Sequence, residues 1–249
     1  MRSHQRTLAS GTGREFVKVY MISILLFALS SVSATQPKPV MESVYATNDV
    51  PLELNAHAAF WNAARPVYAS VNANGDAVPG HETEVLSRWT KDNIYFLFIC
   101  PYKRLYLNPA PNSWRETFGL WKWNVAEVFI GSDFHDIKRY KEFEVSPQNE
   151  WVDLDINLNK PHHEDGWLWN SGFAHATRVD QANHIWYAAM RIPFAALSAV
   201  VPAAGTEFRV NFFRTEGPPD DATEIMWQPT MSNTFHVPER FGLLKLVTK

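Results

Sequence analysis

The 249 residues carry a formal net charge of −3, are 46% hydrophobic and include a single cysteine. That length suits one domain or slightly more, with a sizeable core. The missing basic block argues against a nucleic-acid partner, and one cysteine rules out an intrachain disulfide.

Residues 1–34 read as a secretory signal peptide. A basic stretch, MRSHQRTLASGTGREFVK, precedes a short apolar run, MISILLFALSSV, and Val32 and Ala34 occupy the small-residue positions of a cleavage site. The run is short of the roughly 20 residues a membrane span needs, so no stable span is expected once the signal is removed; Met21 offers an alternative start. Residues 35–43, with QPKPV at 36–40, read as a linker, and 44–249 as the folded domain. An exported chain without disulfides is expected to be secreted or to sit in a bacterial periplasm.

Strand patterns dominate the rest of the chain. Ile94–Cys100 (IYFLFIC) is apolar on both faces, which predicts a central strand covered on both sides and a buried, inert Cys100. Gly119–Ile130 (GLWKWNVAEVFI), if extended, places Trp121, Trp123, Val125, Glu127 and Phe129 on one face and Ala126, Val128 and Ile130 on the other. Tyr140–Val145 and Trp151–Leu158 flank the turn residues SPQNE, which predicts a β-hairpin over 140–158. Ile185–Ile192, Glu207–Thr215 and Phe241–Val247 supply later strands, and Pro193–Val200 a short helix with proline at its first position. Short strands separated by turn signals predict an all-β fold: an antiparallel, jelly-roll-like β-sandwich with a short helix in a late loop.

If the strands at 125–130, 140–145 and 151–158 are neighbours, one sheet face is Val, Ile, Leu and Phe. The other collects Trp121, Trp123, Glu127, Tyr140, Glu142, Glu144, Trp151, Asp153 and Asp155. Such a face suits sugars, whose C–H surfaces stack on indoles and whose hydroxyls donate to carboxylates; the alternative is a second core under loops. The acid pairs Glu142/Glu144 and Asp153/Asp155 stand about 6.5 Å apart along a strand, which a glycoside hydrolase could use. Asp153-x-Asp155-x-Asn157 resembles the start of an EF-hand loop but has Leu158 where that loop needs Gly. A calcium ion held by loop oxygens is compatible with the chain, but no motif places it. His162 and His163 match no zinc spacing.

The order AEVFI, RYKEFEVSPQNEWVDLDI, WYAAMRIPFAAL, EFRVNFFRTEG and WQPTMSNTFHVPERFGLLKL resembles the family 9 carbohydrate-binding modules, over roughly residues 44–248. The resemblance implies a β-sandwich that binds glycan ends, with structural calcium in at least some members. It implies two Trp clamps on a terminal sugar. Trp121, preceding the strand that carries Glu127, matches the first, with Trp123 as a rival, and Trp227 is the candidate for the second. Gln148 and Asn149 fall where the family can place a polar contact, and Asn124 stands where many relatives carry Asp. The implied function is an exported, non-catalytic protein that recognises the terminal sugar of plant-type oligo- or polysaccharides and works beside glycoside hydrolases. The wider superfamily holds DOMON-type haem domains, for which Met190, Met226, Met231, His184 and His236 are the available ligands.

Overall fold

The computed structural model describes residues 37–160, 167–198 and 201–249. The expected signal peptide and the His162–His163 pair lie outside them. Among the described residues the strands are β1 (Val40–Tyr45), β2 (Val67–Ala69), β3 (Thr83–Trp89), β4 (Asn93–Pro101), β5 (Val125–Gly131), β6 (Arg139–Val145), β7 (Trp151–Asn157), β8 (Ala174–Asp180), β9 (Ile185–Pro193), β10 (Glu207–Glu216), β11 (Thr223–Met226) and β12 (Gly242–Val247). One four-residue helix, α1 (Phe194–Leu197), follows β9, with Pro193 as its cap rather than its first helical residue. No helix among the described residues is long and apolar enough to cross a membrane.

The strands follow one path, β7-β6-β5-β10-β12-β1-β3-β4-β9-β8, with β11 beside β10 and β2 beside β3. The path doubles back, so its two halves share a core. Phe96 and Phe98 of β4 meet Phe212 of β10 across it, with ring centroids 5.5 and 5.9 Å apart. Val128, Phe143 and Val210 from one half and Ile94, Ala188 and Met190 from the other complete this layer. Each large side chain buried there contributes about 1.5–3 kcal/mol. The fold is therefore the expected β-sandwich. Pairing is antiparallel except at β1, which runs parallel to both β12 and β3. The chain expected to be linker up to residue 43 is thus in the sheet from Val40 onward.

β4 is covered on both faces as its sequence predicts. Ile94, Phe96, Phe98 and Cys100 face the shared core. Tyr95 and Leu97 face a separate cluster with Trp61 and Leu86, under the segment at 50–64. Cys100 is fully buried, which pushes its thiol up to about 12.

The hairpin is present, but its two strands are phased differently from expectation. Five turn residues, 146–150, set Val145 opposite Trp151, Phe143 opposite Asp153 and Glu142 opposite Leu154. Val152, Leu154 and Ile156 therefore share a face with Glu142 and Glu144, while Trp151 and Asp153 point to the shared core side. A one-residue change in register inverts every side chain of a strand, and the sequence does not state the turn length. Trp151 stacks on His175 at 4.6 Å, Asp153 accepts the Ser171 N–H at 2.6 Å, and Asp155 pairs with Lys141 at 2.6 Å.

Candidate functional site

The outer face of β5, β6, β7 and β10 is covered as well. Val125, Phe129, Val152, Leu154, Ile156 and Phe213 form a second apolar layer, capped by Leu120, Trp167 and Phe241. The cover is incomplete. A cleft of about 560 Å³ opens over this face, floored by Glu127, Phe129, Glu142 and Leu154 and walled by Trp121, Trp167, Phe235 and His236, with Thr215 and Glu224 along one side. The aromatic–acidic face is thus a second core under loops, and this core has an opening.

Trp121 reaches the cleft because the loop at 102–124 is pinned. Glu216 of β10, itself held by Arg214 and by His81 Nδ1 at 3.0 Å, accepts the backbone N–H groups of Lys103 and Arg104 at 2.8 and 3.2 Å. Buried Glu150 accepts from Asn108 Nδ2 at 2.7 Å, from the Asn112 N–H at 3.2 Å and from Thr117 Oγ1 at 3.2 Å. Asn124 Oδ1 accepts from the Tyr106 N–H at 2.8 Å and from the Gly217 N–H at 3.2 Å. A carboxylate that accepts several donors holds a loop strongly because each bond is charge-assisted.

Residues 120–122 then form a 3-10 turn instead of extending β5. Gly119 starts it at φ 83°, a left-handed conformation that glycine adopts without a Cβ penalty. The alternation expected across 119–130 therefore holds only from Val125. Trp121 lines the cleft, edge-on to Phe118 at 5.1 Å. Trp123 packs against the same second layer but stays out of the cleft lining, stacked on Tyr106 at 4.8 Å.

The other expected contacts do not join the cleft lining. Trp227 packs against the shared core, 5.6 Å from Phe212. Its indole lies so close to Gly242 that a Cβ there would meet it at 2.5 Å. Phe212, whose ring Trp227 meets at a tilt, belongs to the shared-core side of β10, whereas Glu127 pairs with Phe213 of the outer layer; the sheet therefore separates Trp227 from Glu127. Gln148 and Asn149 lie in the hairpin turn, where Asn149 has φ 64° and its Oδ1 meets His175 Nδ1 at 3.0 Å. The candidate haem ligands are also dispersed: Met190 is in the shared core, Met226 in the second layer, and His184 beside Tyr102. His236 is in the cleft, stacked on Phe129 and bonded through Nδ1 to Tyr140 Oη at 2.6 Å.

The floor is electrostatically unusual. Glu127, Glu142 and Glu144 are 1%, 4% and 0% exposed. Glu127 faces Glu144 directly across β5 and β6, and one carboxylate oxygen from each of the three lies within 4.8 Å of the others. Burial raises the Glu142 carboxyl to about 7. Burial, reinforced by the neighbouring carboxyls, pushes Glu127 and Glu144 well above the ordinary carboxylate range. Glu142 and Glu144 were readable only as members of a face; what joins them to Glu127 is the pairing of β5 with β6. Phe235 carries no signal of its own in the sequence, and His236 was readable only as an available haem ligand, not as part of a sugar cleft.

A β-sandwich whose covered sheet face opens into an aromatic-walled, acid-floored cleft defines a small-ligand binding module. The sequence profile described as "Carbohydrate family 9 binding domain-like" matches residues 55–249, and the chain belongs to this family. Its fold is similar to that of a family 9 carbohydrate-binding module from Caldicellulosiruptor kristjanssonii solved in complex with cellotriose, at TM-score 0.60 and 15% identity over 85% of this chain and 95% of that one. The complex of such a module with glucose matches equally, at TM-score 0.60 and 15% identity over 85% of this chain and 97% of that one. A Bacteroides uniformis protein assigned to carbohydrate binding matches at TM-score 0.66 and 15% identity, over 84% of this chain and 99% of that one. An Arthroderma benhamiae protein named "Extracellular protein" is 28% identical over 141 residues, which are 51% of this chain and 63% of that relative; the chain thus spans less than two thirds of that relative's length.

Proposed function

We propose that this chain is an exported, non-catalytic carbohydrate-binding protein that seats the terminal sugar of plant-type glycans in the cleft over β5 and β6. The observation that carries this is the juxtaposition of the Trp121 indole with the Glu127 and Glu142 carboxyls in one opening. An indole gives a flat apolar surface for the C–H face of a pyranose. Buried carboxyls fix the positions of its hydroxyls by hydrogen bonds, donating when protonated and accepting when ionised. Phe235 supplies a second aromatic wall where Trp227 was the expected clamp.

Family membership supports a binding role without catalysis, and the cellotriose and glucose complexes of the structural relatives make β-glucan ends the first ligands to try. The relative named as extracellular supports export. The three carboxyls are all almost fully buried, and burial raises all of them, so none is set apart as an ionised nucleophile beside a protonated acid; this favours binding over hydrolysis. Work beside glycoside hydrolases completes the proposed role.

A glycan array probed with the purified chain tests the reading. Signal is expected on cello- or xylo-oligosaccharides presented by their ends; a blank array, or release of reducing sugar that Glu127→Gln abolishes, would overturn it.

A further inference from the structure

The floor of the cleft poses a problem that sugar binding alone does not solve. Glu144 is wholly buried, and its carboxylate oxygens meet no N–H, hydroxyl or counter-charge; the polar group they face is another acid, the Glu142 carboxyl. Glu127 Oε1 and Glu142 Oε2 are buried and meet no such donor either. No ion pair to any of the three forms among the described residues. Native proteins rarely leave buried polar atoms without a partner, and a buried carboxylate without a counter-charge is costlier still. Three buried carboxyls with an oxygen of each within 4.8 Å of the others, and no counter-charge among the described residues, need either protons or a cation.

We propose that Glu127 and Glu142, which line the cleft floor, and Glu144, buried beside them, form a cation site that takes a calcium-sized divalent ion. The donor set is oxygen only, which suits a hard cation and not zinc or copper. One oxygen from each carboxylate lies within 4.8 Å of the others. Oxygens that share one calcium at ligand distances of 2.3–2.6 Å stand at most about 4.6–5.2 Å apart, so this bound is compatible with a shared ion. The backbone holds the set rigid: Glu142 and Glu144 alternate on β6, and Glu127 is locked opposite Glu144 by the β5–β6 ladder. Three carboxylates supply three to six of the six to eight oxygens calcium takes. The remainder would come from water or from ligand hydroxyls entering past Trp121. The ion site does not depend on the sugar reading, since the buried carboxyls exist whatever the cleft binds.

The test uses the full chain stripped with chelator and titrated with calcium or magnesium chloride by calorimetry. Terbium luminescence excited through Trp121 and Trp167, which wall the same cleft, gives a second readout. Calcium is expected to bind once per chain, with a dissociation constant of 10⁻³ M or lower, the range of extracellular calcium modules, and more tightly than magnesium. Glu144→Gln and Glu142→Gln should each weaken calcium and terbium binding at least tenfold. Without calcium both variants should melt at or above the wild-type temperature, because each removes a crowded buried carboxyl. Asp155→Asn, which alters the exposed pair with Lys141, should leave calcium binding unchanged. No calcium binding, magnesium binding as tight as calcium, or calcium binding that survives Glu144→Gln and Glu142→Gln would overturn the proposal. Sugar titrations of the stripped wild type, run in parallel, report on the sugar reading separately.

Discussion

Glu142 sits 4% exposed between Phe129 and Leu154, and its carboxyl titrates at about 7. An acid raised in this way binds its proton more tightly in the folded chain than in the unfolded one, whose carboxyls titrate near 4.3. Its contribution to stability is therefore full below about pH 4.3 and is lost as pH rises toward 7. In chelator, denaturant midpoints measured from pH 4.5 to 7.5 should fall with pH, by on the order of 2–3 kcal/mol for this group. Glu142→Gln should flatten the profile; an unchanged slope would show that the carboxyl is not held protonated. At this scale the sequence is partly legible. Period-two alternation puts Glu127 and Phe129 on one face, and Glu142 and Glu144 on one face. It cannot say that β5 and β6 set Glu127 against Glu144, because strand register is a property of the sheet. Gln148 and Asn149 read from the sequence as a polar turn suited to ligand contact; they lie outside the cleft lining, and Asn149 Oδ1 meets His175 Nδ1.

The turn at 119–122 and the hairpin at 139–157 decide which side chains reach the cleft. A Gly in the left-handed region breaks what would otherwise read as one long strand, and the break sends Trp121 and Trp123 to different places. The sequence shows the Gly and both indoles, but extended and turned backbones are equally compatible with GLWKW. The five-residue hairpin turn reverses the phase of β7 in the same way: both strands are legible, their relative phase is not. Gly119→Ala tests the role of the turn. A left-handed Ala costs about 1–2 kcal/mol, and the turn can relieve that only by moving. The variant should lose sugar affinity about tenfold while its calcium binding stays unchanged. Unchanged sugar affinity, measured by calorimetry, would show that the turn does not set the Trp121 position.

At the largest scale the described residues form a sheet doubled over a shared core, and its two halves are stitched by β1 lying parallel between β12 and β3. The sandwich class was legible from strand spacing, and the central strand β4 from its two apolar faces. β1 and β8 were not: VMESVY follows two prolines and reads as linker, and AHATRVD has neither a clean alternation nor a continuous apolar run. The doubling also places on opposite sides of the sheet two Trp residues expected to act together. Trp121 stands over the outer face with the three carboxyls, and Trp227 fills the seam beside Gly242 on the inner side. The most direct test is therefore calorimetric titration of cellotriose into wild type, Trp121→Ala and Trp227→Ala. Trp121→Ala should weaken binding tenfold or more, a loss of at least about 1.4 kcal/mol, while Trp227→Ala lowers the melting temperature and leaves the affinity of the folded protein unchanged. Binding that survives Trp121→Ala, or that Trp227→Ala abolishes in folded protein, would contradict the account.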